Sequence, residues 1–133
     1  MNVPRLTFGK HERLRGSLRI REVATTGTGL SEAPFRLIAK VMDLPEATPL
    51  QVAFAVPKRH MPRAVDRNRM KRRMREAFRL IKPACATRLR GAGTQVAFLF
   101  LYQGRDAVDF ATTSRKISRA TDRWLEKHVA PGQ

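Results

Sequence analysis

The spacing of hydrophobic and polar residues predicts a helix, three strands, a helix, a strand and a final helix, in that order. Apolar residues recur at near-helical spacing over residues 10–24, although Gly16 weakens this first helix. The sequence TTGTG at residues 25–29 predicts a turn that leads to a short edge strand at residues 30–32. Residues 35–42 alternate apolar and polar side chains, which is the period of a half-buried strand, so we expect a hairpin.

The middle of the chain contains a third strand, a loop and a second helix. Prolines and acids at residues 43–49 predict a turn, and the alternation at residues 51–56 predicts the strand that follows it. Residues 57–66 are expected to form a loop rich in basic residues, because their two prolines cannot continue a helix or donate to a strand. A helix is expected over residues 67–81, with Asp66 as its N-cap and the Lys-Pro pair after it as its stop.

The last third of the chain predicts a buried strand and a closing helix. Residues 85–93 are rich in turn formers, and the strand that ends at Tyr102 is apolar on both of its sides, so we expect it to be central in the sheet. An amphipathic helix begins near Asp109. Together these elements predict one domain over residues 1–133, an α+β sandwich with helices against a four-stranded sheet.

The charge of the chain narrows the possible partners. The net charge is +16, from 27 Lys and Arg against 11 Asp and Glu, which favours a polyanion such as nucleic acid. Residues 57–90 contain thirteen of the basic residues and two acids, a net charge of +11. A membrane surface is the rival partner, but no apolar run is long enough to span a bilayer and residues 1–10 lack the apolar core of a signal peptide. We therefore expect a cytoplasmic protein with no membrane partner.

The predicted second helix separates an apolar stripe from a dense array of arginines. The stripe consists of Met70, Met74, Phe78 and Ile81 and is expected to dock on the sheet. Residues 67–79 contain seven basic residues, and Glu76 is the only acid among them. Like charges four residues apart destabilise a helix by about 0.2 to 0.5 kcal/mol per pair, so an anion is expected against this surface. Arginine at most of these positions indicates phosphate, which the planar guanidinium group fits.

The position of this helix favours RNA over DNA. A basic-region zipper needs a heptad extension, and the predicted helix stops at residues 82–83 instead. A helix-turn-helix needs a second helix within a few residues, and only a strand follows here. The residues alone leave two interpretations open, an RNA-binding subunit and a general basic or ribosome-associated RNA-binding protein without a dedicated processing role.

The run AVPKRHMPRAVDRNRMKRRMREAFR at residues 55–79 resembles the signature of the bacterial ribonuclease P protein component. The opening RLTFGKHERL, the strand after Gly93 and the closing helix agree with this family in order and spacing. The resemblance implies the small protein subunit of a ribozyme that removes the 5′ leader from precursor tRNA. It implies that the catalytic RNA performs the hydrolysis with Mg²⁺, held mainly by that RNA. It also implies a left-handed β-α-β crossover, against the usual preference.

The resemblance assigns residues to two surfaces. The surface toward the catalytic RNA would consist of Lys58, Arg59, Arg67, Asn68, Arg69, Lys71, Arg72 and Arg75. The family's leader cleft lies between the first helix and the exposed face of the sheet, and its candidates here are Arg13, Leu14, Phe35, Arg36, Lys40 and Phe54. Leu14 stands where many members have Phe. On periodicity alone, Phe35 and Phe54 are equally well explained as core residues.

The sequence offers little evidence for catalysis by protein side chains. Cys85 is the only cysteine, and the three histidines are too scattered to show zinc-ligand spacing. Asp106 and Asp109 lie close together, but such pairs usually cap helices or are surface charges. A protein-only nuclease is therefore the third and weakest hypothesis, and the chemistry is expected to belong to the partner RNA.

Overall fold

The computed structural model describes residues 10–45 and 47–129, in which three α-helices pack on a four-stranded mixed sheet. The helices are α1 (Ser17–Thr26), α2 (Ala64–Ala92) and α3 (Phe110–His128). The strands are β1 (Thr28–Glu32), β2 (Phe35–Val41), β3 (Leu50–Ala55) and β4 (Val96–Tyr102). The predicted order of elements is confirmed. Residues 5–9 of the opening motif and Glu46 of the predicted turn lie outside the described residues.

The sheet has the strand order β1-β2-β4-β3. The β1–β2 and β2–β4 pairs are antiparallel, whereas β3 and β4 are parallel and α2 connects them. Phe98 of β4 lies opposite Ala39 on one side and Val52 on the other, and it is fully buried. The prediction of a central strand covered on both faces is therefore confirmed. The β-α-β unit is present, and its left-handed sense stays a prediction.

The two faces of the sheet have separate cores. The larger core lies under α2 and α3 and is built around aromatic side chains, of which Phe78, Phe98, Phe100, Tyr102 and Trp124 are fully or almost fully buried. The smaller core lies under α1 and includes Leu14, Val23, Ile38, Leu44, Ala97 and Leu99. None of the helices in the described ranges has the length and apolar content needed to cross a membrane.

The first half of the predicted N-terminal helix is not helical. Residues Lys10–Glu12 form a single 3-10 turn, and α1 begins only at Ser17. Gly16 has φ +92°, outside the helical region, so a continuous helix through this position is excluded. The prediction of a turn at residues 25–29 is also wrong. The helix α1 extends to Thr26 and the strand β1 begins at residue 28, so only Gly27 lies between them.

The extended residues after the 3-10 turn pair with the outer edge of β3. Arg13 forms a parallel bridge with Val52, and the Leu14 amide donates to the Val52 carbonyl at 3.0 Å. The Gln51 side-chain amide donates to the His11 carbonyl at 2.9 Å. These contacts fix the N-terminal segment along the sheet edge.

Lys82 joins the same N-terminal segment to α2. Its ammonium nitrogen lies 2.9 Å from a Glu12 carboxylate oxygen, and the Lys82 side chain is only 5% exposed. Removing one partner of such a pair leaves an uncompensated buried charge, so the pair holds two segments 70 residues apart in a fixed relation.

α2 extends well beyond the predicted 67–81 at both ends. It begins at residue 64 with Arg63 as the N-cap, so Asp66 lies in the first turn and is not the cap. Pro83 lies inside the helix and does not stop it. Proline removes one helical hydrogen bond, which is why it predicts a stop.

Apolar packing beyond Pro83 explains why α2 continues. Cys85 and Leu89 are buried in the large core, so the helix retains its sheet-facing side through a stretch predicted as a turn at residues 85–93. The helix ends at Gly93, whose φ of +64° is the left-handed conformation that closes helices, and the Thr94 amide donates to the Leu89 carbonyl at 3.0 Å.

Replacing Gly16 by alanine tests the break before α1. We expect Gly16→Ala to lower the free energy of unfolding by about 1 to 3 kcal/mol, because a side chain at this positive φ is strained. Urea unfolding followed by circular dichroism measures it. Gly91→Ala is the control. Gly91 is an exposed helical glycine, so its substitution should raise the free energy of unfolding by about 0.5 to 1 kcal/mol. A stabilising effect at both positions would contradict the assigned break.

Candidate nucleic-acid interface

The buried stripe of α2 determines which way its basic side chains point. Met70, Met74 and Phe78 are fully buried, and the Phe78 ring lies 5.4 Å from that of Phe100 and 5.9 Å from that of Phe98. Ile81 is partly buried beside the same core, so the predicted stripe is confirmed. Basic residues between the stripe positions, such as Arg72 and Arg75, are exposed, whereas Ala77 is buried together with the stripe.

Most of the predicted RNA-facing side chains are available for a ligand. Asn68, Arg69, Arg72 and Arg75 are exposed, and Lys71 is half-buried. Among residues 10–45 and 47–129, no hydrogen bond or ion pair engages the side chains of Lys58, Asn68, Arg69, Lys71, Arg72 and Arg75. We call Lys58, Arg59, Asn68, Arg69, Lys71 and Arg72 the basic surface.

Three arginines of α2 are instead engaged within the protein. Arg67 donates through one guanidinium nitrogen to the Met61 and Pro62 carbonyls, at 3.0 and 2.6 Å. Arg73 donates to the Val108 carbonyl at 2.6 Å, which ties α2 to the β4–α3 loop. Arg79 lies 2.9 Å from a Glu76 carboxylate oxygen, and this hydrogen bond lowers the pKa of Glu76. The arginines of the helix thus divide into structural and available groups.

A pocket of about 420 Å³ lies beside β3. It is lined by Arg13, Leu14, Arg15, Ile20, Val52, Ala53, Phe54 and Arg75. The three arginines come from the N-terminal segment and from α2, whereas strand β3 supplies mostly apolar lining. We call this the β3 pocket. Its chemistry suits an anionic ligand that also has an apolar or aromatic part.

The structure brings together only half of the predicted leader-cleft residues. Arg13, Leu14 and Phe54 line the β3 pocket. The prediction for Phe35 is wrong, because this side chain is 1% exposed in the large core and its ring packs 5.1 Å from that of Tyr102. Its position in the strand alternation places it on the face that α2 and α3 cover, which no leader can reach.

Arg36 and Lys40 lie on the α1 side of the sheet but outside the β3 pocket. Arg36 donates to the Ser31 hydroxyl at 3.3 Å. The Lys40 ammonium group lies 2.9 Å from both the Glu22 carboxylate and the Thr26 hydroxyl, so it fastens α1 to β2. These two residues therefore do not join Arg13 in one site.

Asp109, one of the two acids considered for catalysis, has a structural role in α3. Asp109 is the N-cap of α3, as the sequence predicts, and its side chain accepts from the Thr112 amide at 2.8 Å. Hydrogen bonding from the Thr112 side chain, and after it from the Thr112 amide, lowers the pKa of Asp109. The Asp106 backbone carbonyl accepts a hydrogen bond from the Tyr102 hydroxyl. The described ranges contain no group of three or more His, Cys, Asp or Glu side chains placed to hold a metal ion.

Comparison with known proteins decides the family. A sequence model of the family described as Ribonuclease P matches residues 8–127. The ribonuclease P protein component of Chlorobium phaeobacteroides is 33% identical over 120 residues, which cover 83% of this chain and 82% of that protein. The ribonuclease P protein component of Porphyromonas gingivalis is 30% identical over 116 residues, which cover 86% of this chain and 85% of that protein. The chain belongs to the ribonuclease P protein family.

Solved structures agree with the ribonuclease P fold. The RNase P protein of Staphylococcus aureus superposes with a TM-score of 0.68 at 16% identity, over 86% of this chain and 96% of that one. The RNase P protein from Thermotoga maritima superposes with a TM-score of 0.66 at 20% identity, over 84% of this chain and 96% of that one. The α+β architecture inferred from the sequence is thereby confirmed. Ribonuclease P is an endoribonuclease that contains RNA, so family membership implies an RNA partner.

Within this ribonuclease P fold, sequence reasoning missed part of the β3 pocket. Arg15 and Ile20 were not singled out, because a continuous first helix would have given the N-terminal segment a different course. Arg75 was assigned to the RNA-facing helix, and the structure shows that it also lines the pocket. The spacing of Arg75 on α2 contained no signal for this contact with a distant segment.

The thiol of Cys85 gives a testable property of the ribonuclease P fold. Cys85 is buried in α2, and this burial, with a smaller effect of Asp122, raises its pKa to about 12. The thiolate is therefore nearly absent at pH 8, and we expect the native protein to react with Ellman's reagent at least about a hundredfold more slowly than the urea-unfolded chain. A native rate equal to the unfolded rate would contradict the burial.

Proposed function

We propose that this ribonuclease P protein binds the catalytic RNA through the basic surface and the 5′ leader of precursor tRNA in the β3 pocket, and so supports removal of the leader. The observation behind this proposal is the set of exposed cationic side chains on α2 that have no partner within the described part of the chain. Such an array repels itself until an anion lies against it. Ribonucleic acid phosphates supply that anion at a matching density of charge.

The chemistry of the basic surface fits phosphate recognition. Arginines such as Arg69 and Arg72 offer planar, weakly hydrated donors to phosphate oxygens, and Asn68 beside them can donate to a phosphate or accept from a ribose hydroxyl. Because the buried stripe holds α2 rigidly on the sheet, these groups have a fixed spacing before RNA binds. Preorganised groups lose less entropy on association.

The β3 pocket fits a single-stranded segment such as a leader. The Phe54 ring lies parallel to that of Phe100, at 5.7 Å and an interplanar angle of 14°, so its orientation is fixed by the core. Stacking of a base on an aromatic ring contributes about 1 to 3 kcal/mol, and surrounding arginines can bind the flanking phosphates. Leu14 provides an aliphatic wall where many family members have an aromatic one.

In this proposal the catalytic RNA performs the hydrolysis with Mg²⁺ that the RNA mainly holds. The protein's side chains contribute by neutralising phosphates, which lowers the Mg²⁺ concentration needed to bring catalytic RNA and substrate together. Processing would take place in the cytoplasm. Reconstitution with the catalytic RNA of the same organism tests this function. The protein should restore leader cleavage at low Mg²⁺, whereas binding of RNA without any such rescue would favour a general RNA-binding role.

A single substitution tests the basic surface. Arg72→Ala should weaken binding of the catalytic RNA and lower the slope of log Kd against log salt by about 0.7 to 0.9, the contribution of one phosphate contact. Arg90→Ala, at the exposed far end of α2, is the charge-matched control and should leave both quantities near the wild-type values. Circular dichroism checks that both variants are folded. Identical losses in the two variants would indicate a general charge effect and not a defined surface.

Substitutions in the N-terminal segment test the β3 pocket. Arg13→Gln combined with Arg15→Gln should weaken binding of leader-bearing precursor tRNA to the reconstituted complex by about tenfold, since two phosphate contacts are lost. Mature tRNA, which has no leader, should bind as it does to the wild type. Arg19→Gln combined with Arg21→Gln, in α1 and outside the pocket, is the charge-matched control. Equal weakening for both tRNAs would contradict leader binding at this pocket.

A further inference from the structure

We propose that Arg67 is a positioning residue, which holds residues 57–63, the basic loop, in the shape that presents Lys58, Arg59 and Arg63 to RNA together. The inference rests on the proposed function of the basic surface and gives Arg67, a motif residue outside that surface, a different role. The motif assigns Arg67 to RNA contact alone, whereas its guanidinium group faces the loop that precedes the helix. The available arginines of α2, such as Arg72, have no comparable internal contact among the described residues.

The geometry of Arg67 is that of a clamp on the loop backbone. One guanidinium nitrogen lies 3.0 Å from the Met61 carbonyl oxygen and 2.6 Å from that of Pro62. Charged donors form stronger hydrogen bonds with carbonyl oxygens than neutral amides do. The side chain is half-buried, so water competes less for these bonds than at a fully exposed arginine.

The helix supplies no backbone donor to these two carbonyls. The first helical bond of α2 runs from the Arg67 amide to the carbonyl of the N-cap, Arg63, at 3.1 Å, so Met61 and Pro62 precede the helical ladder. Within the described ranges no backbone amide donates to the Met61 or Pro62 carbonyl. Arg67 therefore links the loop to the first turn of the helix in place of backbone bonding.

The basic loop has few other restraints. Pro57 and Pro62 lack amide hydrogens, and the only backbone bonds inside the loop are two long ones, from the His60 and Met61 amides to the Pro57 carbonyl, at 3.2 and 3.3 Å. Met61 anchors the loop through a side chain that is 2% exposed. The anchor fixes one point of the loop and not the direction of its backbone.

The loop also has a charge arrangement that opposes a compact shape. Lys58, Arg59 and Arg63 are exposed, and the Asp66 carboxylate lies 3.9 Å from the Arg63 guanidinium group. Repulsion among three cations favours a spread of conformations, each of which presents a different spacing to RNA phosphates. By fixing the backbone at Met61 and Pro62, Arg67 restricts the three cations to one spacing relative to each other.

A double-mutant cycle distinguishes positioning from direct contact. Four proteins are compared: wild type, Arg67→Gln, the loop variant Lys58→Gln/Arg59→Gln/Arg63→Gln, and the combination of both. The probe is the catalytic RNA of the same organism, and Kd is measured over a range of salt concentrations. Arg72→Gln, alone and combined with the loop variant, provides the reference for a residue that contacts RNA directly. Hydrogen exchange of the free proteins at residues 58–61 reports the order of the loop without RNA.

If Arg67 positions the loop, Arg67→Gln lowers the salt slope by about 2 or more, because several phosphate contacts are lost together. In the loop variant the same substitution then changes Kd by less than about twofold, since contacts already absent cannot be lost again. Hydrogen exchange in the loop accelerates in Arg67→Gln but not in Arg72→Gln. Arg67→Lys, which keeps the charge but not the planar group, resembles Arg67→Gln.

Additive behaviour would overturn the proposal. An effect of Arg67→Gln that is the same in both backgrounds, with a slope change of about 0.7 to 0.9 and unchanged hydrogen exchange, would show that Arg67 contacts phosphate directly. Failure of the proposed function would look different, because the wild-type protein itself would then neither bind the catalytic RNA nor restore leader cleavage.

Discussion

The packing of Met70, Met74 and Phe78 against the parallel β3–β4 pair is the contact on which the rest of the structure depends. It buries one side of α2 and thereby directs a dense set of cations outward, at intervals that the helix repeat fixes. A helix with this charge would be unstable alone, because its like-charged neighbours repel. The apolar contact offsets that repulsion, so the protein can hold the array in an open, ligand-ready arrangement.

The arginines of α2 do not all have one purpose, although they look alike in the sequence. Arg67 donates to backbone carbonyls of the loop before α2, Arg73 donates to one in the β4–α3 loop, and Arg79 forms an ion pair with Glu76. The remaining basic residues of the first half of the helix are left to an external partner. A charge count therefore overstates the number of basic groups that are available to an external partner. Some arginines of the motif stabilise the structure that exposes the others.

Periodicity was sufficient for the order of elements, the central position of β4 and the start of α3 at Asp109, because each follows from local alternation or capping. Periodicity was insufficient for features that depend on contacts between residues far apart in the sequence. Pro83 predicts a helix stop, but burial of Leu89 extends α2 through it. Gly16 predicts a weakened helix, but its positive φ excludes a continuous helix before Ser17. The basic surface followed from the motif, whereas the β3 pocket needed the pairing of a separate segment with β3, which no local pattern encodes.

The bridge between Arg13 and Val52 has a consequence for the protein's behaviour in concentrated solution. β3 is an edge strand, and unprotected edges are templates for pairing with strands of other molecules. The opposite edge, β1, is only five residues long, which limits such pairing. The backbone of Arg13 and Leu14 occupies part of the β3 edge. The segment that brings arginines to the pocket therefore also hinders two copies of the protein from joining into a continuous sheet.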